Sequence, residues 1–459
     1  MKAMLRALVR NKPADYLEVR LEETHLTHIQ FMGPALQNLA ESVAFGGNVR
    51  ALVKGGWGFV SFNRLEDLDR QVDLAIAQAR QVAAAIESGA TLAPVDPIED
   101  TVPLPPGVDP GALSLQAKKD LLESYNAAIL AFGPPVVSSQ IRYRDIHSRI
   151  LYANSDGTCL EQERLDVAAN LVAVARRNGL TQIGFFGMGG KAGYGVLQDR
   201  ADEVTQICET ARDSLAAPVV RGGEYTVILD PRLAGVFAHE AFGHLSEADN
   251  VYENPRLGEI MTLGRRFGEP LLNIYDSGRE EGLQGYLKYD DEGVPTRKTY
   301  LIRDGLLVGR LHSRETAGRM GEPVTGSARA LDYRFPPIPR MRTTAIEAGD
   351  ASFDEMLEGV ELGVYAKGAY GGQTAGEMFT FTATEGFMIR GGRLAERVRD
   401  VTLTGNVFAT LKNIDRTGRD YTVEGSAGGC GKGEQNPLPC SSGSPHIRIQ
   451  KVIVGGKGS

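Results

Sequence analysis

Tyr225-Thr-Val-Ile-Leu-Asp230-Pro231-Arg-Leu-Ala-Gly-Val-Phe-Ala-His239-Glu240-Ala-Phe-Gly243-His244-Leu-Ser-Glu247-Ala-Asp249 is the stretch around which this 459-residue chain is organised. It begins as a β-branched and aromatic run, as a buried strand does. Asp230-Pro231 then predicts a helix start: a capping carboxylate, followed by proline at the first helical position, where the missing N–H costs nothing. Leu233, Val236 and Phe237 give that helix an apolar face. His239, Glu240 and His244 follow. Two imidazoles with a carboxylate beside the first are the groups a hydrolytic zinc site needs, two neutral nitrogen ligands and a nearby base.

The spacing is H-E-x-x-x-H, one residue longer than H-E-x-x-H, which puts both histidines about 40° apart on one helix face. With the extra residue they diverge by about 140° on a regular α-helix. Sharing a metal therefore requires a widened π turn or a bend, and Gly243 removes a side chain where such a distortion belongs. Without one, they are unrelated histidines on a partly buried helix. A third ligand must come from elsewhere: the four cysteines, His147, His312, His446 or the acids after the motif. Cys430 stands out in Gly425-Ser-Ala-Gly428-Gly429-Cys430-Gly431-Lys432-Gly433, because flanking glycines let the backbone bring a thiolate close to an ion. Cys440 and His446 are the alternatives, while Cys208, beside Ile207 in a helix, reads as a structural thiol. Glu247 and Asp249 read either as helix-surface acids or as partners that orient a ligating imidazole.

Working outward, Asp15 to Thr27 alternates Leu17, Val19, Leu21 with Glu18, Arg20, Glu22, as in a half-buried strand. Lys54-Gly-Gly separates two strands of a hairpin. Asn63-Arg-Leu-Glu66 reads as a capping box before a helix that runs to Ile86. Residues 91–110 are dense in proline and read as an extended loop, and 113–132 as a second helix. Strands over 137–147, 149–153 and 171–177 follow, with Asn178-Gly179 the strongest hairpin turn. The glycine-rich run from Phe185 lacks a phosphate-loop context, so nucleotide binding is rejected. Residues 202–215 are helical. The second half reads as short strands with a single short helix at 352–358, and the charged runs Arg279-Glu-Glu281 and Asp290-Asp-Glu292 as solvated loops. The expected class is α+β, with an N-terminal two-layer α/β domain (residues 1–220). A β-rich, barrel- or sandwich-like domain (221–459) follows and carries the metal-site helix.

The composition, 42% hydrophobic and 24% charged, is ordinary for a soluble globular protein. A net charge of -8 argues against nonspecific nucleic-acid binding. No run approaches the ~20 apolar residues of a membrane span, and the charged opening residues do not form a signal peptide. Four scattered cysteines suggest no disulfide framework. The cytoplasm is the expected location.

The histidine motif through Asp249, taken with Gly429-Cys430-Gly431-Lys432-Gly433, resembles the TldD/PmbA family of zinc-dependent peptidases. Gly326-Ser-Ala-Arg329, Pro337-Ile-Pro-Arg340-Met341, Glu385-Gly386-Phe387 and Thr404-Gly405-Asn406 extend the resemblance along nearly the whole chain. Within the family the H-E-x-x-x-H motif marks the TldD-like branch, and the PmbA (TldE) branch lacks it. The resemblance implies His239, His244 and Cys430 as Zn2+ ligands and Glu240 as the base that activates a zinc-bound water. It also implies unfolded or extended peptides as substrates, trimmed inside a closed dimer. That dimer is either a homodimer or a heterodimer with a metal-free TldE-like relative. The competing expectation is a non-catalytic peptide- or partner-binding subunit whose metal is structural or absent. A non-haem iron enzyme is a third reading, which the thiolate disfavours.

Overall fold

The computed structural model describes residues 1–425 and 427–455; Ser426 of the cysteine loop lies outside the described residues. Four very long strands, Tyr16–Met32, Ala35–Val53, Val136–Asn154 and Cys159–Arg177, dominate a seven-stranded sheet. Strands of 17 to 19 residues reach about 60 Å at ~3.3 Å per residue. Neighbours are antiparallel except Glu99–Val102, which runs parallel to Cys159–Arg177. Both turn readings hold. Leu52 faces Trp57 across Lys54-Gly55, and Arg177 faces Leu180 across Asn178-Gly179, with positive φ at each of the four loop residues.

Toward the ends of the first strand, the odd-numbered residues and their neighbours across the sheet pack under helices. Leu17, Val19 and Leu21 meet the helix Leu68–Ala85, and Ile29, Ile141 and Leu171 meet Leu115–Ala131 and Ala201–Ser214. The even-numbered face is not solvated, as a half-buried strand would have it: Glu18, Arg20 and Glu22 are all buried. They lie against the second half of the chain, and this overturns a second expectation. Asp290, Asp291 and Glu292 are buried partners, not a solvated loop. Arg20 Nη1 and Arg164 Nη1 donate to Asp291 Oδ1 at 2.6 and 2.8 Å, and Arg50 bridges Glu18 and Glu292.

Other local readings also shift. The capping box at Asn63–Glu66 does not form, because Asp67 takes a left-handed conformation and the helix begins at Leu68. The segment 91–110 is not wholly loop, since Glu99–Val102 finds an open edge of the sheet. Residues 137–153 form one unbroken strand.

In the second half, five strands close a barrel: Leu362–Ala375, Gly223–Leu229, Ile447–Gly455, Thr402–Asn406 and Met378–Arg390, the last pairing back to the first. Beside it lies a six-stranded sheet that includes Thr343–Ile346 and Ser441–Ser444. This half holds more helix than the single one expected, with Ala248–Glu253, Pro255–Ile260, Arg314–Met320 and Val407–Lys412 besides Phe353–Leu357. No helix of the described residues is long and apolar enough to cross a membrane.

Candidate metal centre

The barrel strand Gly223–Leu229 leads straight into the helix Pro231–Ala238, and the cap is the one its sequence dictates. Asp230 Oδ1 accepts the Leu233 N–H at 2.9 Å with Pro231 at the first helical position. The apolar face wedges this helix between barrel and sheet. Phe237 meets Phe379 and Phe381 edge-on, with ring centroids 5.5 and 5.9 Å apart.

At His239 the helix widens. Residues His239–Gly243 form a π turn in which the His244 N–H donates to the His239 carbonyl, and a short 3₁₀ turn follows. The added residue per turn rotates His244 back toward His239, as the H-E-x-x-x-H spacing requires. Their rings stand nearly perpendicular, with centroids 5.4 Å apart. Gly243 has ordinary helical torsions; its role is to make room. A Cβ there would sit 2.0 Å from Met341 Sδ.

Cys430 arrives from the other side, on the short strand Cys430–Lys432 paired with Gln435–Leu438. One donor atom from each of His239, His244 and Cys430 falls within 4.8 Å of the others, and Cys430 Sγ lies 3.2 Å from His244 Nε2. Burial opposes a Cys430 thiolate, yet the two imidazoles outweigh it and draw its pKa down to about 4. Burial likewise opposes a charged His244, but Cys430 and Glu247 push its pKa up to about 10. Three electron-pair donors aimed at one point stabilise positive charge there, whether carried by protons or by a cation. Two imidazoles and a thiolate at this separation suit zinc. The three residues could hold a metal ion, and among the described residues no fourth His, Cys, Asp or Glu joins the group.

Glu240 borders the same centre, its Oε2 3.9 Å from His244 Nε2, and burial raises its pKa. A cleft of about 360 Å³ opens over His239 and Glu240, walled by Tyr370, Gly371, Gly372 and Gly429. Cys440 lines this cleft without joining the three donors; burial and the Cys430 charge push its thiol up to about 12. His446 is elsewhere, bonded to Tyr365 and Asp420. His147 pairs with Glu163, and His312 with Glu322 and Thr316.

Of the two acids after the motif, Glu247 is fully buried, with its Oε2 3.3 Å from His244 Nδ1, where it can fix the tautomer and ring orientation. Asp249 touches no imidazole; its Oδ1 accepts from Lys432 Nζ at 2.6 Å and so ties the cysteine hairpin to the histidine helix. Sequence reasoning missed Arg340. It is completely buried, donates to the Cys430 and Gln435 carbonyls at 2.7 and 3.1 Å, and stands 3.6 Å from Glu247. Its guanidinium therefore links the cysteine backbone to the carboxylate behind His244. A lone arginine in Pro-Ile-Pro-Arg gives no sign of this, beyond lying in a stretch that carries the family resemblance.

Models of the PmbA/TldA metallopeptidase domain 1, central domain and C-terminal domain match residues 17–83, 108–217 and 222–456. A metalloprotease of Synechocystis sp. is 46% identical over 444 residues, covering 96% of this chain and 95% of its own. One of Methanothermobacter thermautotrophicus is 34% identical over 446 residues, covering 96% of each. A zinc metalloprotease TldD homolog of Saccharolobus solfataricus is 33% identical over 329 residues, covering 70% of this chain and 72% of its own. Among solved structures, TldE of Thermococcus kodakarensis superposes with a TM-score of 0.74 at 19% identity, over 99% of this chain and 100% of its own. A Thermotoga maritima protein, named as a candidate modulator of a DNA gyrase, gives 0.76 at 20%, over 96% of each; at such identities these two speak for the fold alone. The chain belongs to the TldD/PmbA metallopeptidase family.

Proposed function

We infer that this protein is a zinc-dependent peptidase acting on extended or unfolded peptides. The observation that carries the reading is the open geometry of the donor group. His239, His244 and Cys430 converge, no fourth protein ligand joins them among the described residues, and Glu240 faces the same cleft. A structural zinc has four protein ligands, a catalytic one three. Held by these residues, zinc would supply Lewis acidity toward a peptide carbonyl and toward water. The rest falls to the chain. Glu240 takes a proton on a carboxylate oxygen from the water that attacks the carbonyl carbon, then passes it to the departing amine as the C–N bond breaks. Burial raises its pKa and so strengthens it as a base. Glu247 holds the His244 ring in place.

The cleft walls favour a peptide with little sequence demand. Gly371, Gly372, Gly425 and Gly429 line it, so main-chain groups lie open to pairing with a substrate backbone. Relatives named metalloproteases, one of them a zinc metalloprotease, support the same reading. The fold shared with TldE fits assembly with a metal-free relative of that kind, or with a second copy. The test is Glu240→Gln, with zinc content and hydrolysis of an unstructured peptide measured together, alone and with a TldE-like partner. Zinc should stay at the unmodified level while hydrolysis falls by roughly 10²–10⁴. If the unmodified protein holds zinc but cuts nothing in either setting, a non-catalytic binding subunit replaces this reading.

A further inference from the structure

A second cavity, of about 680 Å³, lies between the inner face of the first sheet and residues 279–296 of the second half. One wall is apolar, built from Ile98, Val102, Leu165, Leu287 and the prolines of 103–106. The opposite side is cationic. Lys191 is 8% exposed, and its Nζ donates to the Leu165 carbonyl at 3.2 Å. Among the described residues no carboxylate lies within ion-pair distance of Lys191, and burial, which outweighs the more distant Asp166 charge, pulls its pKa down to about 8. Next to it, Arg164 gives Nη1 to Asp291, an acid already shared with Arg20, so that Arg164 Nε and Nη2 are buried without an acceptor. Arg279, exposed at the rim, also has no acidic partner among the described residues.

The lining acids do not neutralise this side. Glu163 is engaged by His147, and Glu281 is exposed. The fourth cation, Lys288, is committed to Asp100 at 2.6 Å. A buried ammonium and a half-satisfied guanidinium at a cavity wall are costly unless an anion meets them. Together they offer the forked and point-charge donors that recognise a carboxylate. The volume is that of a small-molecule site.

We propose that this cavity binds a small organic carboxylate, with Arg164 and Lys191 holding the carboxylate and the 102–106 wall covering an apolar or aromatic body. The site is separate from the metal cleft. Leu165 lines the cavity and Asn170 the cleft on one strand, five residues and about 17 Å apart at ~3.3 Å per residue. It does not depend on the peptidase reading.

Titration calorimetry of the purified full-length protein with 3-phenylpropanoate, 3-phenylpropanamide and inorganic phosphate tests this. The carboxylate should bind and the neutral amide should not. Lys191→Met should weaken the carboxylate roughly tenfold or more, while Cys430→Ala should leave it unchanged. Should Lys191→Met fail to fold, Arg279→Gln at the exposed rim serves, with a loss of roughly threefold expected. Equal binding of acid and amide, no binding of the acid, or an unchanged affinity in the folded Lys191→Met protein overturns the proposal. Tighter binding of phosphate than of the carboxylate overturns the assigned ligand class.

Discussion

Between the two halves of the chain, Arg20, Arg50 and Arg164 meet Glu18, Glu22, Asp291 and Glu292; at the metal centre, His239, His244 and Cys430 crowd one point, with the Glu247 carboxylate set behind His244. In the first region every cation faces an anion within 3.4 Å, and each arginine is held by an acid at 2.8 Å or less. Each charge meets an opposite one, Arg164 through Nη1 alone, and what they hold is the seam between the long sheet and the second half. In the second region lone pairs face lone pairs. The Cys430 thiol is driven to thiolate and His244 toward imidazolium, so the cluster balances only by taking up positive charge. Paired charges make a joint, and unpaired donors make a binding site.

The largest effect that could break this comparison is at Cys430. Cys430→Ala should take bound zinc from near one per chain to near zero while the folded state survives, as mass spectrometry of the intact protein would read out. Retention of stoichiometric zinc would move the third ligand to Cys440, which borders the same cleft. At the seam the reverse holds. Arg20→Met leaves Glu22 and Asp291 short of a partner and should cost ~3–5 kcal/mol of unfolding free energy, with zinc per folded chain unchanged. A loss below ~1 kcal/mol in urea unfolding would mean that Arg164 alone satisfies Asp291, and the seam would not be a closed set of pairs.

The two regions were unequally legible in the sequence, for a physical reason. The Asp230-Pro231 helix start and the Asn178-Gly179 turn are set by residues a few positions apart, and both stand in the structure. The histidine spacing even called for its own distortion, a widened turn or a bend, and the structure has the π turn. Cys430 is 186 residues from His244, so glycine context and resemblance alone could suggest it. The seam was misread because its partners are more distant still: 271 residues separate Arg20 from Asp291, and a run of acids with no visible cation reads as solvated. Asn63–Glu66 failed for a different reason, a local signal overridden when Asp67 turned left-handed.

A smaller effect sharpens the comparison within the metal centre. Glu247 is a seam-like residue there, a fully buried carboxylate whose ionised form His244, Lys432 and Arg340 hold in place against the cost of burial. Glu247→Gln keeps the shape but removes the charge behind His244, and should weaken zinc affinity ~10–100-fold in a chelator competition. An unchanged affinity would leave Glu247 a structural tie alone.

The smallest expected effect belongs to the seam and to acid. Burial opposes ionisation of Asp291, but Arg164, Arg20 and the Ala330 N–H outweigh it and hold its pKa well below the usual carboxylate range. A folded pKa depressed in this way adds stability that is present above the unfolded pKa of about 3.9 and is lost as pH falls below it. Between about pH 6 and about pH 3.5 the loss from this one group is ~0.7 kcal/mol, since the unfolded chain takes up the proton while the folded one does not. Asp291→Asn is less stable throughout, yet its urea midpoint should fall less steeply over that interval. An equally steep fall would place the acid sensitivity in other carboxylates and leave Asp291 a contributor to packing alone.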